Sequence, residues 1–175
     1  MFEEYCMALK NPKKRQIGVV DTMFARADMG ALCIEVLQAS HRPIEIVRYT
    51  VPGIKDLGIG AKKLISEKKC EIVITLGMVG RAPIDKTCAH EAVQGIQWCQ
   101  LLTNTHVLDV MVHEDEADGD DEKLRAIMID RTTKHAQNAL DLLFDPSSLT
   151  TRAGTGQRQG GQNASFFSLT TGKRK

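Results

Sequence analysis

Cys70-Glu71-Ile72-Val73-Ile74-Thr75-Leu76 is the most continuous apolar run in the chain. A strand with one wet face alternates apolar and polar residues, whereas a strand covered on both faces does not have to. The run is also far shorter than the roughly 20 residues needed to span a bilayer. It therefore reads as the buried central strand of a parallel sheet. Upstream, Pro52-Gly53 opens a helix with Ile54, Leu57, Ala61, Leu64 and Ile65 on one side, and Glu45 to Val51 is β-branched and strand-like. Earlier still, Asp28 is a suitable N-cap for a helix whose Met29, Leu32, Cys33, Val36 and Leu37 form one apolar stripe. Ile17 to Val20 precedes it as a first short strand. Downstream, a loop from Gly77 to Pro83 leads to a helix over Asp85–Leu102. A fourth strand follows over His106–Val112, then a long last helix over Asp121–Phe144.

Four strands alternating with helices of this length imply βαβ units with right-handed crossovers. The expected fold is α/β: a flavodoxin-like three-layer αβα sandwich around a four-stranded parallel sheet in the order 2-1-3-4. With 175 residues there is material for one domain and too little for two. We expect an N-terminal extension over 1–15, a single domain over 16–150 and a loose Gly/Gln/Ser/Thr-rich tail over 151–175, whose low apolar content cannot offset its ordering entropy. The net charge of +1 gives no reason to expect nucleic acid or an anionic membrane as partner. With no apolar leader segment at the N-terminus, a cytoplasmic location is expected. The five cysteines, at 6, 33, 70, 88 and 99, include no Cys-x-x-Cys pair, so reduced thiols are expected rather than a zinc site or a disulfide framework.

In an open parallel sheet, ligands bind beyond the carboxyl ends of the strands, near the point where strand order reverses. The segments leaving the strands are Asp21-Thr22-Met23-Phe24-Ala25, Thr50-Val51-Pro52-Gly53, Gly77-Met78-Val79-Gly80-Arg81 and His113-Glu114-Asp115-Glu116. They offer an aromatic ring, glycines, helix N-terminal amides, a cation and acid–base groups, with Lys55, Asp56, Lys86 and His90 close by. Such an edge suits a polar, planar small molecule. Several motifs fail on inspection. Gly53 and Gly58 have P-loop spacing, but Ile59 stands where the lysine belongs. His90-Glu91-Ala92-Val93-Gln94 lacks the second histidine of a zinc protease. Glu114, Glu116, Asp118 and Gly119 mimic a calcium loop whose twelfth position is Arg125. The acidic run 114–122 reads instead as the start of the last helix, where carboxylates favour the dipole.

Four separated blocks resemble the archaeal type of riboflavin synthase, a relative of lumazine synthase. They are Val20-Asp21-Thr22-Met23-Phe24-Ala25-Arg26, Thr50-Val51-Pro52-Gly53-Ile54-Lys55-Asp56-Leu57, Asp85-Lys86-Thr87-Cys88-Ala89-His90-Glu91-Ala92 and Val112-His113-Glu114-Asp115-Glu116-Ala117. Val79, Pro83 and Gly58 depart from the family's usual residues. The resemblance implies a homopentamer with sites between subunits. It also implies a reaction in which two molecules of 6,7-dimethyl-8-ribityllumazine exchange a four-carbon unit, giving riboflavin and 5-amino-6-(D-ribitylamino)uracil. No redox cofactor is implied, and Mg2+ is implied only as an activator. Lumazine synthase activity is the near alternative, but its phosphate cradle, an Arg-Gly-Glu-Thr stretch, is replaced here by Arg81-Ala82-Pro83-Ile84. A non-catalytic flavin- or lumazine-binding module is the other alternative.

By the same resemblance, Phe24 would stack on the lumazine ring, a contact that also gains apolar area. The amides after Pro52-Gly53, from Ile54 on, with Lys55 and Asp56 would hold the ribityl chain, whose hydroxyls need dense donors and acceptors; Thr22, Ala25 and Val51 are further expected substrate-binding residues. Met78 and Val79 would flank the ring, and Gly77, Asp85 and Glu114 are further expected substrate-binding residues. A ring-methyl proton must leave and protons must return, for which His90, His113, Lys86 and Asp21 are candidates. The two histidines come first because their pKa needs little tuning. Each has a bland alternative: Phe24 as a cap on the core, Asp21 as an organiser of its turn, and Lys86 and His90 as one exposed helix face. Arg131 and His135 lie near the apolar stripe of the last helix and suit packing better than catalysis.

Overall fold

The computed structural model describes residues 13–165. Most of the expected N-terminal extension and the end of the tail lie outside that range. The chain runs β1 (Arg15–Thr22), α1 (Met29–Ala39), β2 (Ile44–Val51), α2 (Leu57–Lys68), β3 (Ile72–Val79), α3 (Pro83–Thr103), β4 (Val107–His113), α4 (Asp121–Phe144) and α5 (Ser147–Arg152). The strands form one parallel sheet in the order β2-β1-β3-β4, as the alternation implied.

The pleat divides the core in two, because successive side chains leave a strand on opposite faces. Ile17, Val19, Ile72, Ile74, Leu76, Val110 and Val112 pack against α1 and α4. Val20, Val73, Val79, Val107 and Met111 pack against α2 and α3. β3 is covered on both faces, which is why its sequence shows no alternation. On the second face α2 and α3 meet backbone to backbone: a Cβ placed on Gly58 would lie 3.1 Å from the carbonyl carbon of Gly95. Burial pushes the Cys33 thiol up to about 12, so it stays protonated inside the first core.

Several boundaries differ from the sequence reading. β3 continues through Gly77, Met78 and Val79, which had read as loop, so these residues are held rigidly by pairing with Met111, Val112 and His113. α3 begins at Pro83, where a proline's missing N–H costs nothing, rather than at Asp85. Glu114–Ala117 is a separate 3-10 turn and not the lead-in to the last helix. That helix is capped by Asp120, whose carboxylate accepts from the amides of Glu122 (2.9 Å) and Lys123 (3.0 Å). Asp28 caps α1 as expected, accepting from Ala31 N at 2.8 Å. The described part of the tail bonds to α4: Lys134 Nζ donates to the Arg158 carbonyl (2.9 Å), and Gly160 N to Asp130 Oδ2 (2.7 Å).

Candidate functional site

The carboxyl ends of β1, β2 and β3 open onto a depression of about 510 Å³. Phe24 forms one side. Its loop is tied to the end of β2 by Met23 N donating to Val51 O (2.8 Å) and Phe24 N to Pro52 O (3.2 Å), yet the residue is 70% exposed. The Pro52–Asp56 segment forms the next side as a tight turn closed by Asp56 N donating to Gly53 O (3.0 Å). Ile54 can settle against the sheet because Gly77 has no side chain: a Cβ there would stand 2.9 Å from Ile54 Cγ2. Met78 and Val79 supply the wall along β3. Lys55 reaches Glu91 on α3 at 2.6 Å, which holds the Glu91 carboxyl below the usual carboxylate range. Asp85 completes the rim while accepting from Ala82 N at 3.1 Å at the start of α3.

The structure thus gathers Phe24, Pro52, Gly53, Ile54, Lys55, Asp56, Met78, Val79 and Asp85 around one space. Val51 lies buried beneath it, and Gly77 supplies the clearance for Ile54. Gly80 and Cys88 also line it and were missed as site residues. Cys88 stands three residues after Asp85 on α3, one turn along the same face, a spacing that could have revealed it.

Asp21, Thr22 and Ala25 instead line an adjoining depression of about 340 Å³ on the α1 side of the first loop. Asp21 is buried, and both its oxygens are engaged. Arg48 donates to Oδ2 at 2.5 Å, and the Thr50 hydroxyl donates to Oδ1 at 2.7 Å. Register dictates this, since Asp21 pairs with Thr50 across β1 and β2. Arg48 also meets Asp28 (2.6 Å), so the carboxylate that caps α1 shares its cation with Asp21.

The other acid–base candidates stand on the β4 side and do not line the depression. His113 ends β4 as the register partner of Val79, one strand spacing from the depression's wall. Lys86 is ion-paired with Asp115, which holds the Asp115 carboxyl below its ordinary range. Glu114 lies between two guanidiniums, Arg26 at 3.6 Å and Arg81 at 4.0 Å. His90 is exposed one turn beyond Lys86 on α3. Behind His113, Glu116 accepts from the His113 amide at 2.9 Å and forms a two-pronged pair with Arg131 (2.8 and 2.6 Å). Asp109, not singled out from sequence, is pushed above the usual carboxylate range by burial beside Thr75.

A sequence model of the 6,7-dimethyl-8-ribityllumazine synthase family matches residues 14–145. A riboflavin synthase from Methanothermobacter thermautotrophicus is 50% identical over 149 residues, covering 85% of this chain and 97% of that one. One from Archaeoglobus fulgidus is 50% identical over 146 residues, 83% of this chain and 94% of that one. One from Aeropyrum pernix is 49% identical over 145 residues, 82% and 92% of the two chains.

Proposed function

The chain belongs to the 6,7-dimethyl-8-ribityllumazine synthase family, and within it we infer that this protein is a riboflavin synthase. The observation that carries the assignment is half identity to riboflavin synthases along nearly their whole length. The site is consistent with it. The family's other activity handles a phosphorylated four-carbon substrate, and the loop where its cradle would stand is here Arg81-Ala82, running directly into α3 at Pro83. The half-exposed guanidinium of Arg81 stands 4.0 Å from Glu114.

The reaction combines two copies of 6,7-dimethyl-8-ribityllumazine and moves a four-carbon unit from one to the other. One copy becomes riboflavin and the other 5-amino-6-(D-ribitylamino)uracil. Oxidation and reduction cancel between the two copies, so we propose that no redox cofactor takes part. Phe24, exposed at the mouth, is placed to cover one face of a flat ring. The turn over Pro52–Asp56 presents amides and the Lys55 and Asp56 side chains to a polyol. Met78 and Val79, fixed in β3, define the opposite wall.

For proton transfer we place His113 first. It sits at the strand end beside Val79, and its amide is anchored by Glu116. His90 and Lys86 are the next candidates on the same side. Asp21 holds the β1–β2 edge together, since both its oxygens are occupied.

Magnesium is proposed as an activator by kinship. Among the described residues no three His, Cys, Asp or Glu side chains converge on one point, so they form no cage for the ion, and no step is assigned to it. We also propose a homopentamer with sites between subunits. The final turns of α3 expose Trp98 (62%), Leu101 (76%) and Leu102 (69%), a patch that a neighbouring subunit would cover. No helix among the described residues is long and apolar enough to cross a membrane; a cytoplasmic location is proposed.

The test is to incubate the purified protein with 6,7-dimethyl-8-ribityllumazine and magnesium and to follow riboflavin by absorbance and fluorescence. One riboflavin per two lumazines consumed is expected. A folded assembly that makes none would overturn the assignment.

A further inference from the structure

The turn Glu114–Ala117 carries the residues immediately beyond His113, yet it buries only Ala117. Apolar packing alone therefore holds it weakly, and its position depends on polar tethers. Exposed ion pairs hold Glu114 and Asp115, while the more buried tethers meet at one side chain. Arg131, on α4, is half-buried and donates three hydrogen bonds: to the Met111 carbonyl (2.6 Å), to Glu116 Oε1 (2.8 Å) and to Glu116 Oε2 (2.6 Å). Glu116 Oε1 in turn accepts from the His113 amide at 2.9 Å. One guanidinium thus fixes the backbone on both sides of Val112, at the point where β4 reaches the reacting edge. The planar fork of arginine suits this, because its donors are fixed relative to one another.

The opposite side of Arg131 is also covered. Gly160 of the tail has φ +71°, and a Cβ there would stand 2.5 Å from Arg131 Nη2. The Gly160 amide is bonded to Asp130, and Lys134 holds the neighbouring Arg158 carbonyl. The tail therefore closes over the guanidinium and leaves it little room to swing away from Glu116. A buried ion pair adds little net stability compared with apolar packing, so the arrangement is better explained by the geometry it imposes.

We propose that Arg131 is a positioning residue for the reaction: through Glu116 and the Met111 carbonyl it sets the place of His113 and of the turn carrying Glu114. The inference rests on the riboflavin synthase reading and on the assignment of proton transfer to this side of the site. Arg131 does not line the depression, and on this proposal its loss acts through the alignment of other groups.

The test uses the full chain and the variants Arg131→Ala, Glu116→Ala and Glu116→Gln. Turnover is measured together with amide hydrogen exchange over residues 111–117 and with the assembly state. For both alanine variants exchange in that segment should rise. Their kcat should fall by roughly 10- to 100-fold, the scale of a misplacement of about 1 Å in a catalytic group, while KM changes little. Glu116→Gln keeps one oxygen that can accept from both the His113 amide and Arg131 Nη1, but sets an NH2 against Arg131 Nη2; it should recover part of the lost turnover. Should Arg131→Ala fail to fold, Glu116→Ala and Glu116→Gln still decide the matter. Faster exchange with unaltered kcat would overturn the inference and leave a purely structural clamp. A rise in KM with unchanged kcat would also overturn it, by showing a binding role. A parent protein that is folded but makes no riboflavin would instead sink the functional reading itself.

Discussion

Replacing Phe24 by alanine separates ligand stacking from packing. Phe24 is 70% exposed, and the loop is held by backbone bonds from Met23 and Phe24 to the end of β2. Truncation should therefore cost the isolated fold very little. Covering one face of the ring with a flat ligand removes on the order of 60 Å² of apolar surface at about 25 cal/mol per Å². Aromatic contact adds about 0.5 kcal/mol or more. The sum is about 2 kcal/mol, or a factor of about 30 in affinity. The assay is the KM for 6,7-dimethyl-8-ribityllumazine, together with equilibrium binding of riboflavin by fluorescence quenching. Thermal unfolding and sedimentation serve as controls. A change below about threefold, which is under about 0.7 kcal/mol, would refute the stacking argument. So would unchanged affinity with a broken assembly, which would place the ring in subunit packing.

Three further outcomes are expected. Asp21→Ala strips Arg48 and Thr50 of a buried partner and should lower stability by about 2 kcal/mol, discounted because Arg48 is partly exposed and keeps Asp28; Asp21→Asn should retain turnover, and its complete inactivity would make Asp21 a proton carrier. Asp109 has a folded pKa above its unfolded one, so its stabilising contribution is full below the unfolded carboxylate range and is lost as pH rises through the folded value. Asp109→Asn should accordingly raise the urea midpoint at pH 7 and leave it little changed in acid, and the opposite trend would show that the carboxylate is better satisfied than its burial implies. His113→Ala should depress kcat far more than substrate affinity and more than His90→Ala does; equal turnover in both variants and the parent would remove the histidines from the chemistry.

The sheet order was readable because each strand's apolar run differs in kind from its neighbouring helix, and because right-handed crossovers leave few ways to connect four parallel strands. The depression was readable for the same reason: Phe24, Pro52–Asp56 and Met78–Val79 all leave adjacent strand ends. What escaped was governed by partner choice. Gly77, Met78 and Val79 looked like loop because a glycine and a methionine interrupt a β-branched run, and only pairing with β4 makes them strand. Arg48 carried no signal that it would neutralise Asp21, since that depends on register across two strands. Arg131 lies near the apolar stripe of its helix and was read as packing; nothing local marks it as the partner of Glu116, fifteen residues earlier. Lys86 and His90 stand one turn apart on α3 as their spacing implied, but Lys86 pairs with Asp115 beyond β4 and His90 is exposed, and neither lines the depression.

The bare contact between Gly58 and Gly95 has a consequence for selectivity. The two helices that follow the Pro52–Asp56 turn and carry the Asp85–Cys88 rim approach most closely where Gly58 meets the main chain of Gly95, a point at which no rotamer change can make room. That close approach limits how near the two rims can come, much as a stop on a calliper does. A methyl group at position 58 is therefore the smallest alteration that would reset the stop, and a route by which the same fold could come to accept a broader heterocycle.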